Sequence, residues 1–177
     1  LSLMDIVNDN GDSVYYLVKE IPEKVRQAGL ATVKSFGVKS RFVHLEFFIL
    51  NEDQEGLGKK GDVLGLEVNM RPAGGFTPEM YNYSQETDVY KIWADMIAFD
   101  YNTKDIGNSH FCAFYGRRDG KQYKLDDYEV MMKYGHKMVM WGRIPEALSG
   151  AMANQMYVAN FDTEEEMMQY YADLAAQ

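Results

Sequence analysis

The tightest constraint on the fold lies in two stretches, RFVHLEFFIL (residues 41–50) and VLGLEVNMR (63–71), separated by the polar, glycine-bearing NEDQEGLGKKGD (51–62). The first is rich in aromatic and branched residues, and the second alternates apolar with polar side chains, so they predict two strands. Strands joined this way form most simply an antiparallel hairpin with a long loop. Successive side chains of a strand point to opposite faces, so Glu67, Asn69 and Arg71 project together while Leu66, Val68 and Met70 point into a core. The strand then breaks at Pro72-Ala73-Gly74-Gly75. Folding the pair about the middle of the loop makes facing residues sum to about 112 or 113. A sum of 113 sets Glu46 across from Glu67, His44 across from Asn69 and Phe42 across from Arg71, all on one face. A sum of 112 makes the two glutamates diagonal neighbours on opposite faces, and a bulge would shift either register.

Like charges directly opposite on a sheet destabilise it by some tenths of a kcal/mol, and a divalent cation between them removes the conflict. Two carboxylates and an amide oxygen are hard ligands that suit magnesium, which keeps several waters and shares its remaining sites with substrate phosphates. Arg71 adds a fixed positive fork for a phosphate or carboxylate. His44, two residues before Glu46 on the same face, reads as support for a metal, as a substrate contact or as a satisfied structural histidine. The alternation is also what any antiparallel strand with one wet face shows, and Glu67 with Arg71 would then be a surface pair of small worth. Asn69, a poor strand former, weighs towards function.

Along the rest of the chain, Pro22 to Phe36 predicts a helix with Val25, Ala28, Thr32 and Phe36 near one face and Gly37 closing it. Thr77-Pro78-Glu79 predicts a short helix with Thr77 as its cap. A second start at 84–87 leads into Val89, Ile92, Trp93, Met96 and Ile97 at strict helical spacing. The stretch before residue 22 shows no clear first element. After the polar linker DYNTKDIGNS (100–109), HFCAFYGRRDGKQY reads as strand, turn and strand. A helix ending at Gly135, two strands in HKMVMWGRI and NQMYVANF, and a terminal helix with Met167, Tyr171 and Leu174 as its stripe complete the pattern. Arg117 and Arg118 read as turn residues, with an anion contact as the alternative, and Cys112 as a core residue.

With 177 residues, 46% apolar and 25% charged, the chain predicts a soluble globular protein. A net charge of −9 argues against nucleic acid as the main partner. The longest apolar runs fall short of a membrane span, and no secretory signal is evident. The one cysteine cannot form an internal disulfide, which makes a reducing cytoplasm the expected compartment.

VHLEFF, a loop, then LEVNMRPAGG and a Thr/Pro helix start followed by an amphipathic helix resemble the end of the catalytic subdomain of the ATP-grasp family. The likeness covers about residues 25–100 and is greatest to the carboxylate-amine ligase, biotin carboxylase and carbamoyl-phosphate synthase branch. It implies an α+β fold: residues 1–100 as the C-terminal part of an ATP-grasp catalytic subdomain, an antiparallel sheet with packed helices, and residues 101–177 as a small α+β C-terminal unit. It implies ATP and magnesium as cofactors, with manganese as a substitute. Glu46 and Glu67 would bind magnesium, Glu67 bridging two ions and Asn69 binding the second. Arg71 would hold the transferring phosphoryl group or the reactive intermediate. Gly74, Gly75, Thr77 and His44 would lie towards a small carboxylate substrate. The implied reaction forms an acylphosphate from the carboxylate and passes it to an amine or similar nucleophile. Upstream lysines and a glycine-rich phosphate loop, expected in a separate lobe, are missing ahead of residue 22. The expectation is therefore a C-terminal piece of a longer ligase, inactive alone, with homodimer formation left open. The competing expectation is a non-catalytic cation-binding or partner-docking domain that keeps the fold.

Overall fold

The computed structural model describes residues 10–102 and 107–177. In chain order the elements are β1 (Ser13–Leu17), α1 (Glu23–Ser35), β2 (His44–Ile49), β3 (Val63–Asn69), α2 (Thr77–Ser84), α3 (Val89–Phe99), β4 (Phe111–Arg117), α4 (Asp127–Tyr134), β5 (Met138–Arg143), α5 (Glu146–Met152), β6 (Gln155–Phe161) and α6 (Glu164–Ala175). They fall into two compact units, one from residues 10–19, 75–87 and 107–177 and one from residues 20–74 and 88–102. Each unit draws on separated stretches of chain, whereas the expected blocks 1–100 and 101–177 are continuous. The expected start at Leu1 and part of the polar linker lie outside the described residues.

The first unit is a four-stranded sheet in the order β1-β4-β6-β5, every neighbouring pair antiparallel. Its two central strands are buried on both faces, so they read as nearly continuous apolar runs. On one face Tyr115, Tyr157 and Phe161 pack against Val130 of α4 and Met167, Tyr170 and Leu174 of α6. On the other, Cys112, Phe114 and Val158 pack against Met80 of α2 and Ile144. Burial pushes the Cys112 thiol up to about 12, so it is an inert core group at neutral pH. The terminal helix starts as its sequence predicts: Thr163 Oγ1 accepts from the Glu166 amide at 3.2 Å, with Glu164, Glu165 and Glu166 on the positive end of the helix. Asp126 and Glu129 close a capping box on α4, at 2.8 and 2.9 Å.

Three expectations fail in this unit. The stretch before residue 22 does carry an element, β1, an edge strand whose Tyr15 stacks on Phe114 at 4.6 Å. The strand expected after the Arg118-Asp119-Gly120 turn does not form, because its side chains are used as anchors: Tyr123 Oη and Lys121 Nζ donate to Asp12 at 2.8 and 3.0 Å. A helix that was not expected, α5, follows Pro145. Its end presses on the sheet at Gly116, where a Cβ would stand 2.2 Å from Met152 O. Gly116→Ala is therefore expected to destabilise the chain by about 2 kcal/mol. A urea titration checks this, and an unchanged midpoint would contradict the close packing.

The second unit is the two-stranded sheet β2-β3 with α1 and α3. Pro22 precedes α1, and Gly37, at φ +59°, takes the left-handed conformation just beyond it. The middle of α1 lies over the apolar face of the hairpin, since a Cβ at Gly29 would stand 3.7 Å from Leu45 Cδ1. Lys24 Nζ donates to Gly61 O at 3.0 Å, tying the same helix to the hairpin loop. Phe42, just before β2, stacks on Trp93 of α3 at 5.8 Å.

The expected stripe of α3 is only partly inward. Val89, Ile92 and Met96 are half-buried, but Ile97 is 68% exposed, and Asp95 takes the most buried position of the helix. Asp95 tolerates burial because Lys91, one turn earlier, reaches both of its oxygens at 3.0 and 3.1 Å. Among the described residues of this unit, Leu50 is the one apolar side chain in the fully buried class, while Leu30, Phe48, Leu66 and Phe99 are exposed.

Candidate functional site

The hairpin register carries the candidate site. Pairing runs His44 to Asn69, Leu45 to Val68 and Glu46 to Glu67, a sum of 113, then shifts to Phe47 with Gly65, a sum of 112. Both registers read from the sequence therefore occur, divided by a bulge immediately after the glutamate pair. A bulge bends the strand and increases its twist, a common device for re-aiming a side chain beside a site. By strand alternation His44, Glu46, Glu67 and Asn69 share one face, opposite to Leu45, which lies beneath α1.

The two glutamates are cross-strand neighbours, the arrangement in which like charges repel most. His44 Nε2 stands 3.7 Å from Glu46 Oε1, and both side chains keep partial access to solvent. His44 Nδ1 and Asn69 Nδ2 are both buried and both lack a hydrogen-bond partner. Most buried polar atoms are paired, so two orphans on directly facing residues mark an incomplete arrangement. Among the described residues, no three His, Cys, Asp or Glu side chains gather as a metal cluster. The donor set here is two carboxylates and an amide. It fits a magnesium ion that completes its shell with water and phosphate oxygens, and does not fit a metal caged by protein alone.

The other expected residues lie after the hairpin. Arg71 sits two positions beyond β3, exposed, with Nη1 donating to Pro72 O at 2.9 Å. Phe42 and Arg71 fall outside the paired strands, so the pairing expected between them is not formed. Gly74 would meet nothing within 4 Å if it carried a Cβ. Gly75, at φ +61°, is needed for its backbone conformation, and a Cβ there would also strike Met152 Cε at 2.9 Å, so its space is filled by protein. Thr77 is not the cap of α2: it is the first helical residue, Phe76 precedes it, and no side chain caps the helix. Proline within the first turn and Glu79 stabilise this start without a cap.

His110, Cys112, Arg117 and Arg118 are held by the fold. His110 Nδ1 lies 3.1 Å from Asp162 Oδ1 and Nε2 lies 3.4 Å from Glu86 Oε1, so His110 links two carboxylates while Cys112 points into the core. The backbone N–H of Asn108, followed by His110, holds the Glu86 carboxyl below the usual range. Arg117 and Arg118 are buried and bound to backbone carbonyls, neither turn residues nor anion contacts. Sequence reading missed this because an arginine pair before Asp-Gly has the composition of an exposed turn.

No protein-family model and no curated protein matches this chain. In structure it is similar to phosphoribosylglycinamide synthetase from Anaerococcus prevotii, with a TM-score of 0.62 at 13% sequence identity. The similarity covers 93% of this chain and 46% of that one, so the chain spans about half the length of that enzyme. Among the described residues no helix is long and apolar enough to cross a membrane. The α+β fold, antiparallel sheets with packed helices, is thus that of the corresponding part of that enzyme.

Proposed function

We propose that this chain is the C-terminal part of an ATP-dependent ligase that activates a carboxylate as an acylphosphate and joins it to an amine or a similar nucleophile. The observation that carries the reading is the register that sets Glu46 against Glu67 and His44 against Asn69 on one face of the hairpin. Magnesium, or manganese in its place, supplies charge neutralisation on the ATP phosphates when bound. In this reading Glu46 and Glu67 would hold the ion, Glu67 would serve a second one as well, and Asn69 Oδ1 would add a neutral ligand to that second ion. Arg71 orients the phosphoryl oxygens through its exposed fork. The open side of Gly74 leaves room for the carboxylate substrate, with Gly75 and Thr77 continuing the chain beyond it.

The shared fold with an ATP-grasp enzyme of about twice the length supports a place within a longer polypeptide, as do the apolar side chains that the hairpin unit leaves exposed. A lobe bearing the ATP-binding lysines and phosphate loop would complete the site, and the chain alone is expected to turn over no ATP. The motifs favour a carboxylate-amine ligase of the carbamoyl-phosphate synthase type in the cytoplasm, with carboxylation of biotin or bicarbonate as the neighbouring chemistry. The exposed apolar side chains also favour a second reading, a non-catalytic docking domain of the same fold.

One experiment separates the two. The complete gene product is incubated with magnesium-ATP, a panel of small carboxylates and a panel of amines, with hydroxylamine to trap acylphosphate as hydroxamate. ADP formation that depends on one carboxylate, with matching hydroxamate, is the expected result. The absence of carboxylate-dependent ADP formation across the panel overturns the ligase in favour of the docking domain.

A further inference from the structure

The site leaves one arrangement unexplained. His44 and Asn69 face each other directly in the ladder, and each has a buried ring or amide nitrogen with no partner. Directly opposed residues of an antiparallel pair have Cβ atoms about 4.5–5.5 Å apart, a spacing at which the two side chains can meet. The other ring nitrogen of His44 stands 3.7 Å from Glu46 Oε1, just outside that reach.

With the ring neutral, one distribution of protons satisfies all three groups. An ionised carboxylate accepts only, so Glu46 requires the neutral ring to carry its proton on Nε2. That leaves Nδ1 as an acceptor, and the Asn69 group able to meet it is the amide N–H, the atom that is orphaned. The opposite amide orientation would set Asn69 Oδ1 against the Nδ1 lone pair, leaving two acceptors face to face. With Nδ2 held by the ring, Oδ1 is turned away from His44 and is free to act as a ligand.

Resting on the ion-site reading above, we propose that His44 is a positioning residue: its ring takes the Asn69 Nδ2–H at Nδ1 and gives its Nε2–H to Glu46. It thereby locks both ligand-bearing side chains, one from each strand, in the orientation that presents oxygen to a divalent ion. Outer partners of this kind alter metal affinity by about 10–100-fold when removed.

The bond and its consequence are measured separately on the 177-residue chain. For the bond, ring-nitrogen NMR is expected to show His44 as the Nε2–H tautomer, with a through-bond coupling between His44 Nδ1 and Asn69 Nδ2. The Nδ1–H tautomer, or no coupling, overturns the proposal. For the consequence, binding of Mn2+ alone is followed by the loss of its free-ion resonance. His44→Ala is expected to weaken binding about tenfold. His44→Asn, which returns an acceptor near the Nδ1 position, is expected to restore most of it, and His44→Gln, which does not, to stay weak. Equal affinity in wild type and His44→Ala overturns the positioning role, and so does equal rescue by both amides. If the wild-type chain binds no Mn2+, the proposal falls with the ion site, and a coupling still present shows that the fault lies in the functional reading and not in the geometry.

Discussion

Replacing Arg117 with methionine is expected to lower the stability of the chain by about 3–5 kcal/mol, although its hydrogen bonds go to backbone carbonyls and not to a carboxylate. The side chain is 3% exposed at the end of β4. Its Nε and Nη2 donate to Leu174 O at 3.2 and 3.0 Å, and Nη1 donates to Leu125 O at 2.8 Å. Leu174 lies in the last turn of α6, where carbonyls have no helical partner and the helix carries partial negative charge. The guanidinium also lies 4.2 Å from the centre of the Tyr123 ring and 5.4 Å from that of Tyr157, whose electron-rich faces further offset its desolvation. Methionine keeps much of the volume but leaves one buried and one part-buried carbonyl without donors, at about 1–3 kcal/mol each, and unpins the terminal helix. Lysine keeps the charge but cannot fork to both carbonyls, so Arg117→Lys is expected to lose about half as much. Urea denaturation of the three proteins is the test, and a methionine variant with the wild-type midpoint would show that these carbonyls find other donors.

The same arginine shows where sequence reading stops. Patterns that depend on neighbours in the chain were legible: the acidic start of α6, the glycine ending α1, the two strands of the hairpin and the stripe of α6 all appear as read. So did the hairpin register, because alternation limits it to two choices and the bulge uses both. What failed depends on partners distant in sequence. Arg117 and Arg118 look like turn residues until carbonyls at Leu174, Leu125, Gly11 and Gly150 meet them. Ser13–Leu17 is too short to declare itself, although Asn10-Gly11 ahead of a β-branched and aromatic run was a usable signal, and the strand exists by pairing with β4. Lys121 and Tyr123 have strand-like neighbours but are taken up by Asp12. In α3 the spacing was right and the inward face was displaced, since Lys91 let Asp95 occupy a position that hydrophobicity assigned to others. In the candidate site the facing of Glu46 with Glu67 and of His44 with Asn69 was legible, whereas the orphaned nitrogens of His44 and Asn69 appear only with side chains in place.

Glu67→Gln is expected to move stability and turnover in opposite directions. Without a divalent ion, wild type holds Glu46 and Glu67 opposite each other across the ladder, and the substitution removes that repulsion, so the variant gains some tenths of a kcal/mol. With magnesium at ten times its dissociation constant, wild type gains about 1.4 kcal/mol by linkage and the variant gains little. Turnover by the complete gene product is expected to fall about 10²–10³-fold, the scale of losing one fixed electrostatic contact to a reaction whose charge develops on phosphate. Arg71→Ala serves as the contrast. Arg71 lies beyond the paired strands and is read as touching phosphate and not the ion, so its loss is expected to reduce turnover while leaving the magnesium-dependent gain in stability intact. A polar strand face that merely meets water predicts neither result: Glu67→Gln would leave turnover unchanged, and magnesium would stabilise wild type and variant alike. Opposite signs in one variant, with only one of the two effects in the other, require the facing glutamates to serve an ion and the arginine to serve what the ion carries.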